Sequence, residues 1–211
     1  AARVSNPSNQ SNHKTAKKLL EYCIEHKHWS IFEMANAVVE VEAPRDITRQ
    51  LLRHRSLSFQ EFSQRYSDEI ETTPRKYRRQ DLSNRQNSID DMDIETAYRA
   101  DVLQRRVGRA AMDAYQELRN AGVAKECARV LLPEGLTMSR MYVNGTLRSW
   151  LHYLDVRDDP EVTQHEHVLL ARAIRKVLEP AFPLVMGGVN TEIRPMTDEE
   201  RNRAKERNAE S

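Results

Sequence analysis

The stretch Arg53-His54-Arg55-Ser56-Leu57-Ser58-Phe59-Gln60-Glu61-Phe62-Ser63-Gln64-Arg65-Tyr66 concentrates groups that can grip an anion or a polar ring. If its second half is extended, Glu61, Ser63 and Arg65 share one face at period two, with Phe62 and Gln64 on the other. That face then offers a carboxylate acceptor, a hydroxyl and a guanidinium, a set suited to a nucleotide with one phosphate and a polar ring. A well-placed charge-assisted contact of this kind is worth roughly 1.5–3 kcal/mol. The competing reading is a solvated, salt-bridged loop. Arg53 and His54 also follow an amphipathic helix, where cations serve the negative C-terminal end.

Other candidates carry less. His26/His28 and His165/His167 are spaced two apart; on a helix such pairs point about 200° from each other and cannot chelate from one face, so no metal site is expected. Cys127 sits in an apolar helical stretch and reads as a packed thiol rather than a nucleophile. Tyr98 and Tyr115 read as core. There is no glycine-rich phosphate loop and no dinucleotide fingerprint, so side chains must hold any dinucleotide.

The elements that position these residues follow from periodicity. Residues 13–28 place Leu19, Leu20, Cys23 and Ile24 on one helical face. Met34–Ala43 alternates as a half-exposed strand, and Pro44 opens a helix with Ile47, Leu51 and Leu52 inward, ending near Arg53. Residues 56–88 read as an ordered functional loop followed by a mobile connection. A long helix is expected from Ile89 to Ala121, with Ile94, Tyr98, Val102, Ala111, Ala114, Tyr115 and Leu118 facing its core and Gly122 at C′. A short helix (Ala124–Leu132) stops at Pro133, and Thr137–Asn144 is a strand. Helices at about 146–157 and 163–179 follow, Thr163 and Glu166 suiting a capping box for the second. The class is α+β, mostly helical with a small antiparallel sheet: one domain over 1–186 and a charged, flexible tail over 187–211.

Composition sets bounds. The 211 residues carry 33 Lys+Arg against 32 Asp+Glu, and a net charge of +1 excludes a polycation that coats nucleic acid by bulk charge. Within that balance are 25 arginines to 8 lysines, and only Arg offers a planar fork matched to phosphate and carboxylate. No apolar run approaches the ~18 residues of a membrane span, and the first ten residues are no signal peptide. Two distant cysteines fit a reducing cytoplasm with no disulfide or zinc framework. An alternative function, an Arg-rich nucleic-acid-binding module over residues 45–85, draws on ten Lys+Arg against six Asp+Glu there. The few aromatics in that stretch supply a stacking surface poorly.

Arg53-His54-Arg55-x-x-Ser58 followed by Glu61-x-Ser63-x-Arg65-Tyr66 resembles the signature of the flavin-dependent thymidylate synthases (the ThyX family). Four further segments do likewise: Ala1–Ser5; His28-x-Ser30-x-x-Glu33; Glu126-Cys127-Ala128-Arg129-x-x-Leu132-Pro133; and Thr146-x-Arg148 with His152, Val156-Arg157 and Thr163-Gln164. The resemblance implies a ThyX-like fold and reductive methylation of dUMP to dTMP in a homotetramer with shared active sites. Methylenetetrahydrofolate gives the carbon, and FAD recharged by NADPH gives the hydride. It further implies that Ser5, His28, Ser30, Arg53, His54, Arg55, Glu61, Thr146, Arg148 and His152 hold FAD. Gln50, Arg53, Glu61, Ser63, Gln64, Arg65, Arg129 and Arg157 would hold dUMP, with Arg157 the catalytic residue facing the pyrimidine. Gln60, Thr146 and His152 stand where the family more often has Asn, and the family's further N-terminal strand is expected to be absent. A catalytically inactive relative is the other alternative.

Overall fold

The structure is a computed structural model that describes residues 2–4, 6–63 and 70–186. Its centre is strand β5 (Met138–Thr146), flanked by β1 (Asn36–Pro44) and β2 (Ser58–Glu61), both antiparallel to it. Alternation sets the register: Val39 lies opposite Val143 and Val41 opposite Met141, while Phe59 meets Val143 from the other side. Val39, Val41, Ala43, Met141 and Val143 are buried, whereas Val38, Glu40, Glu42 and Tyr142 face outward. The buried face is covered by a 3-10 segment (Trp29–Met34) and by α1 (Ala16–Glu25), α2 (Arg45–Leu51), α5 (Leu147–Arg157), α6 (His165–Leu178) and α7 (Pro183–Met186). The expected α+β class with a small antiparallel sheet is observed.

Two strands run directly into the helices that carry the chemistry. Pro44 ends β1 and occupies the cap position of α2, where its missing N–H costs nothing. Thr146 ends β5 and caps α5, its hydroxyl accepting from the Ser149 amide at 3.2 Å. Gly145, just before it, lies where a Cβ would fall 2.4 Å from a Leu57 methyl carbon, so α5 turns off the sheet in close contact with the segment before β2.

Several expectations are corrected. The long helix α3 (Ile94–Asn120) starts at its cap Asp93, which accepts from the Thr96 amide; Ile89 instead ends a short hairpin of β3 (Arg79–Gln80) and β4 (Ser88–Ile89). Ile94, Tyr98 and Val102 are exposed and only Tyr115 of the expected set is fully buried. The partners of α3 are α4 (Lys125–Ala128) and the 3-10 turn Arg129–Leu131, which pack on this helix. Gly122, with φ +84°, is the left-handed C′ residue expected. Leu52 and Cys127 are exposed rather than packed. No capping box forms at α6, because Thr163 donates to the Val156 carbonyl at the end of α5 while Glu166 turns toward arginines.

The connection expected to be mobile is tied down over its described part. Thr73 and Met138 exchange backbone bonds with Leu136 and Glu71, and Arg75 pairs with Asp46 of α2 at 2.9 Å. The Gln104 side chain of α3 both accepts from the Arg75 amide and donates to its carbonyl. The expected tail lies outside the described residues. Among the described residues, no helix is long and apolar enough to cross a membrane.

Candidate active site

Beyond α2 the chain tightens into a turn, with the His54 amide donating to the Leu51 carbonyl and the Leu57 amide to that of His54. This leaves Arg53 and Arg55 exposed and His54, between them in sequence, half-buried. The His54 Nε2 accepts from Nε of Arg157, the last residue of α5, at 2.9 Å, and Tyr153 packs edge-on against the imidazole with ring centres 5.0 Å apart. Burial, then the charge of Arg157 and those of His152 and Arg53, push the His54 pKa down to about 4. The ring is therefore neutral, with a bare Nε2 for Arg157. Arg157's own pKa is lowered by burial, Tyr153 working against that and Arg53 with it. The terminal nitrogens of Arg157 make no hydrogen bond to a described residue, which leaves a partly desolvated fork open at the mouth of the turn.

Gln50 lies one helical turn before His54. Its Nε2 donates to Gln164 at 2.7 Å, and its Oε1 lies 3.3 Å from Nδ1 of the fully buried His167. On the other side of α5, a cleft of about 730 Å³ is lined by Lys27, Trp29, Glu33, Ser56, Arg148 and His152 among others. Arg148 donates to Glu33 at 2.8 Å, and hydrogen bonds from Thr146 and Arg148 hold the Glu33 carboxyl below its ordinary range. Ser149 Oγ donates to the Ser56 carbonyl, tying the Arg-His-Arg turn to α5.

The remaining expected site residues are more scattered. His28 and Ser30 are exposed at the start of the 3-10 segment, with His28 edge-on to Tyr22 at 5.8 Å. Lys27, between the two histidines, has φ +57°, so they do not share a helix as the spacing argument assumed. Among the described residues no group of three or more His, Cys, Asp or Glu could hold a metal. Glu61 accepts from Ser139 Oγ at 2.6 Å and lies 3.5 Å from Arg45, with its side chain still partly exposed. β2 ends at Glu61 and Ser63 is half-buried just beyond it. Arg129 stands in the turn that packs on α3 and α4, with no hydrogen bond to a described site residue. Ser5, Gln64 and Arg65 lie outside the described residues.

Sequence reasoning missed Tyr153 and His167. Tyr153 is four residues before Arg157, a spacing that puts both on one helix face; His167 was weighed only as a metal ligand. The basic stretch 45–85 is largely neutralised within the chain: Arg45 pairs with Glu61, Arg49 with Glu134, Arg75 and Arg78 with Glu166, and Arg79 with Asp91. Among the described residues of the stretch, few charges are free to meet a phosphate backbone.

The family model described as "Thymidylate synthase complementing protein" (Thy1) matches residues 1–184. The probable flavin-dependent thymidylate synthase of Paramecium bursaria Chlorella virus 1 is 47% identical over 188 residues, which are 88% of this chain and 85% of that protein. The flavin-dependent thymidylate synthase of Synechocystis sp. is 47% identical over 184 residues, 87% of this chain and 84% of that one. The fold matches a crystal structure of the UMP/dUMP methylase PolB from Streptomyces cacaoi bound with 5-Br UMP, with a TM-score of 0.72 and 25% identity over 85% of each chain. A match that spans the sheet, the Arg-His-Arg turn and both site helices leaves one assignment: the chain belongs to the Thy1 family, that of the flavin-dependent thymidylate synthases.

Proposed function

We propose that this chain is a flavin-dependent thymidylate synthase that converts dUMP to dTMP, with Arg157 as its catalytic residue. The observation that carries the reading is the Arg157–His54 pair. A guanidinium is anchored through Nε on a neutral imidazole, so its remaining donors stay charged, oriented and partly desolvated. Donors preorganised in this way stabilise charge as it develops, here on the pyrimidine when C5 acts as nucleophile. Gln50, Arg53, Glu61, Ser63, Gln64, Arg65 and Arg129 are proposed to hold the rest of dUMP.

The cleft beside α5 fits a flavin in size, within the ~300–1,000 Å³ usual for small-molecule sites, and in chemistry, with Trp29 as an aromatic wall and Arg148, Lys27 and His152 as cationic or polar groups. Arg148, His152, Thr146, Ser30, His28 and Ser5 are proposed to hold FAD, with Arg53, His54, Arg55 and Glu61 at its edge. When bound, FAD supplies the hydride that completes the methyl group, with NADPH as reductant and methylenetetrahydrofolate as carbon donor. The exposed apolar residues Ile94, Tyr98 and Val102, which recur every four positions and so share one face of α3, support assembly with further copies, as the homotetramer requires. Two free thiols suit a reducing cytoplasm.

The test is tritium release from [5-³H]dUMP by purified protein given FAD, NADPH and methylenetetrahydrofolate. Release with formation of dTMP is the expected result. Protein that stays colourless, takes up no added FAD and releases no tritium overturns the reading; flavin uptake without turnover makes it an inactive relative.

A further inference from the structure

A line of hydrogen bonds runs behind the end of α2, and its direction can be read from its chemistry. It ends at Glu166, which accepts from Arg78 at 2.6 Å and lies 3.4 Å from Arg75. Burial works to raise the Glu166 pKa, but the Arg78 hydrogen bond and the charges of Arg78 and Arg75 hold it below the ordinary value, so the carboxylate only accepts. Gln164 must therefore turn its NH₂ group to Glu166, at 3.1 Å, and its oxygen to Gln50. Gln50 must then turn its own NH₂ to Gln164 and its oxygen to His167, which is left to donate from Nδ1. The His167 tautomer is thus fixed, with Nε2 bare; that atom is buried and has no hydrogen-bond partner among the described residues.

Keeping an imidazole at 0% exposure with one nitrogen unsatisfied carries a desolvation cost that a hydrocarbon side chain of similar size would not. What the imidazole supplies in return is its single hydrogen bond, to Gln50. We infer that His167 is a positioning residue: with Gln164 and Glu166 it locks the Gln50 amide so that its second N–H is presented, as a donor, to an oxygen of dUMP. This deepens the proposed function and rests on it. Burial, with the charges of Arg157 and His54, pushes the His167 pKa down to about 3, so the lock holds across the neutral range.

The test uses the flavin-loaded enzyme, with steady-state kinetics and calorimetric binding of dUMP. His167→Leu is expected to raise KM and Kd for dUMP about fivefold, leaving flavin content and NADPH oxidation without dUMP unchanged. His167→Asn, whose Nδ2 can donate where Nδ1 does, is expected to return both constants to within about twofold of wild type. Should the Leu variant not fold, Gln164→Leu breaks the same line at an exposed position and must raise KM alike. Unchanged dUMP constants in Gln164→Leu, or an Asn variant no better than Leu, overturn the inference. Wild-type enzyme that binds no dUMP overturns the thymidylate synthase reading together with it; wild type that binds while the variants match it overturns only the lock.

Discussion

Replacing Arg157 with alanine separates the two halves of the site most cleanly. The structure gives this side chain one internal bond, Nε to His54 at 2.9 Å, at the last turn of α5, and leaves its terminal nitrogens free of described partners. Loss of that bond and of a cation at a helix C-terminus should cost about 1–2 kcal/mol, or a Tm decrease of about 2–8 °C in a domain this size. The catalytic loss should be larger. Removing a preorganised donor from a partly desolvated site typically lowers kcat by about 10²–10³, or roughly 2.7–4 kcal/mol. FAD should stay, because Arg148, His152 and Ser56 lie on the cleft side of α5 and do not bond to Arg157. Lysine should recover only part of the rate, since one ammonium cannot both reach His54 and present a planar fork. The assay is tritium release under saturating dUMP, beside the flavin absorbance of the purified variant. An alanine variant within tenfold of wild-type kcat, or one that loses flavin in step with activity, would show that the role is misassigned.

Further expectations follow from other sites. His54 and His167 have folded-state pKa values near 4 and 3, below the ordinary 6.5, so the unfolded chain takes up protons first as pH falls. Their contribution is present above pH 6.5 and is lost as pH falls through the range 6.5 to 3, by up to about 1.4 kcal/mol per pH unit for the wholly buried His167 and less for half-exposed His54. Urea midpoints should thus drop between pH 7 and pH 5; a flat profile there contradicts the burial argument. Gly145→Ala would push a Cβ to 2.4 Å from Leu57 and 3.3 Å from Trp150 Nε1, and should lower stability by about 1–3 kcal/mol in thermal denaturation. A variant as stable as wild type means the strand–helix junction relaxes freely. Tyr98→Glu, in the exposed stripe of α3, should shift the light-scattering mass of the proposed tetramer to smaller species; an unchanged mass places the subunit contact elsewhere.

Much of this protein is legible in one dimension because the signals are local. The alternation of Ala37, Val39 and Val41, the proline that converts β1 into α2, and the glycine after α3 depend only on near neighbours, and each element is found where its pattern places it. The motif residues at Arg53–Arg55 and Thr146–Arg157 likewise carry the family assignment without any coordinates. What a motif does not contain is which of its members bond to each other. His54 and Arg157 are 103 positions apart, and they meet only because β5 turns directly into α5 beside the end of α2. Glu61 shows the converse: its carboxylate accepts from Ser139, 78 positions away, a contact that no local motif reveals. The exposed apolar face at the start of α3 reads as core because amphipathicity marks an apolar face without saying what covers it. Residue types and local periods determined the elements and the chemistry on offer. Contacts between distant segments decided which arginine is held ready, which carboxylate is already engaged and which histidine does the holding, because burial and charge pairing depend on neighbours that only the folded chain supplies.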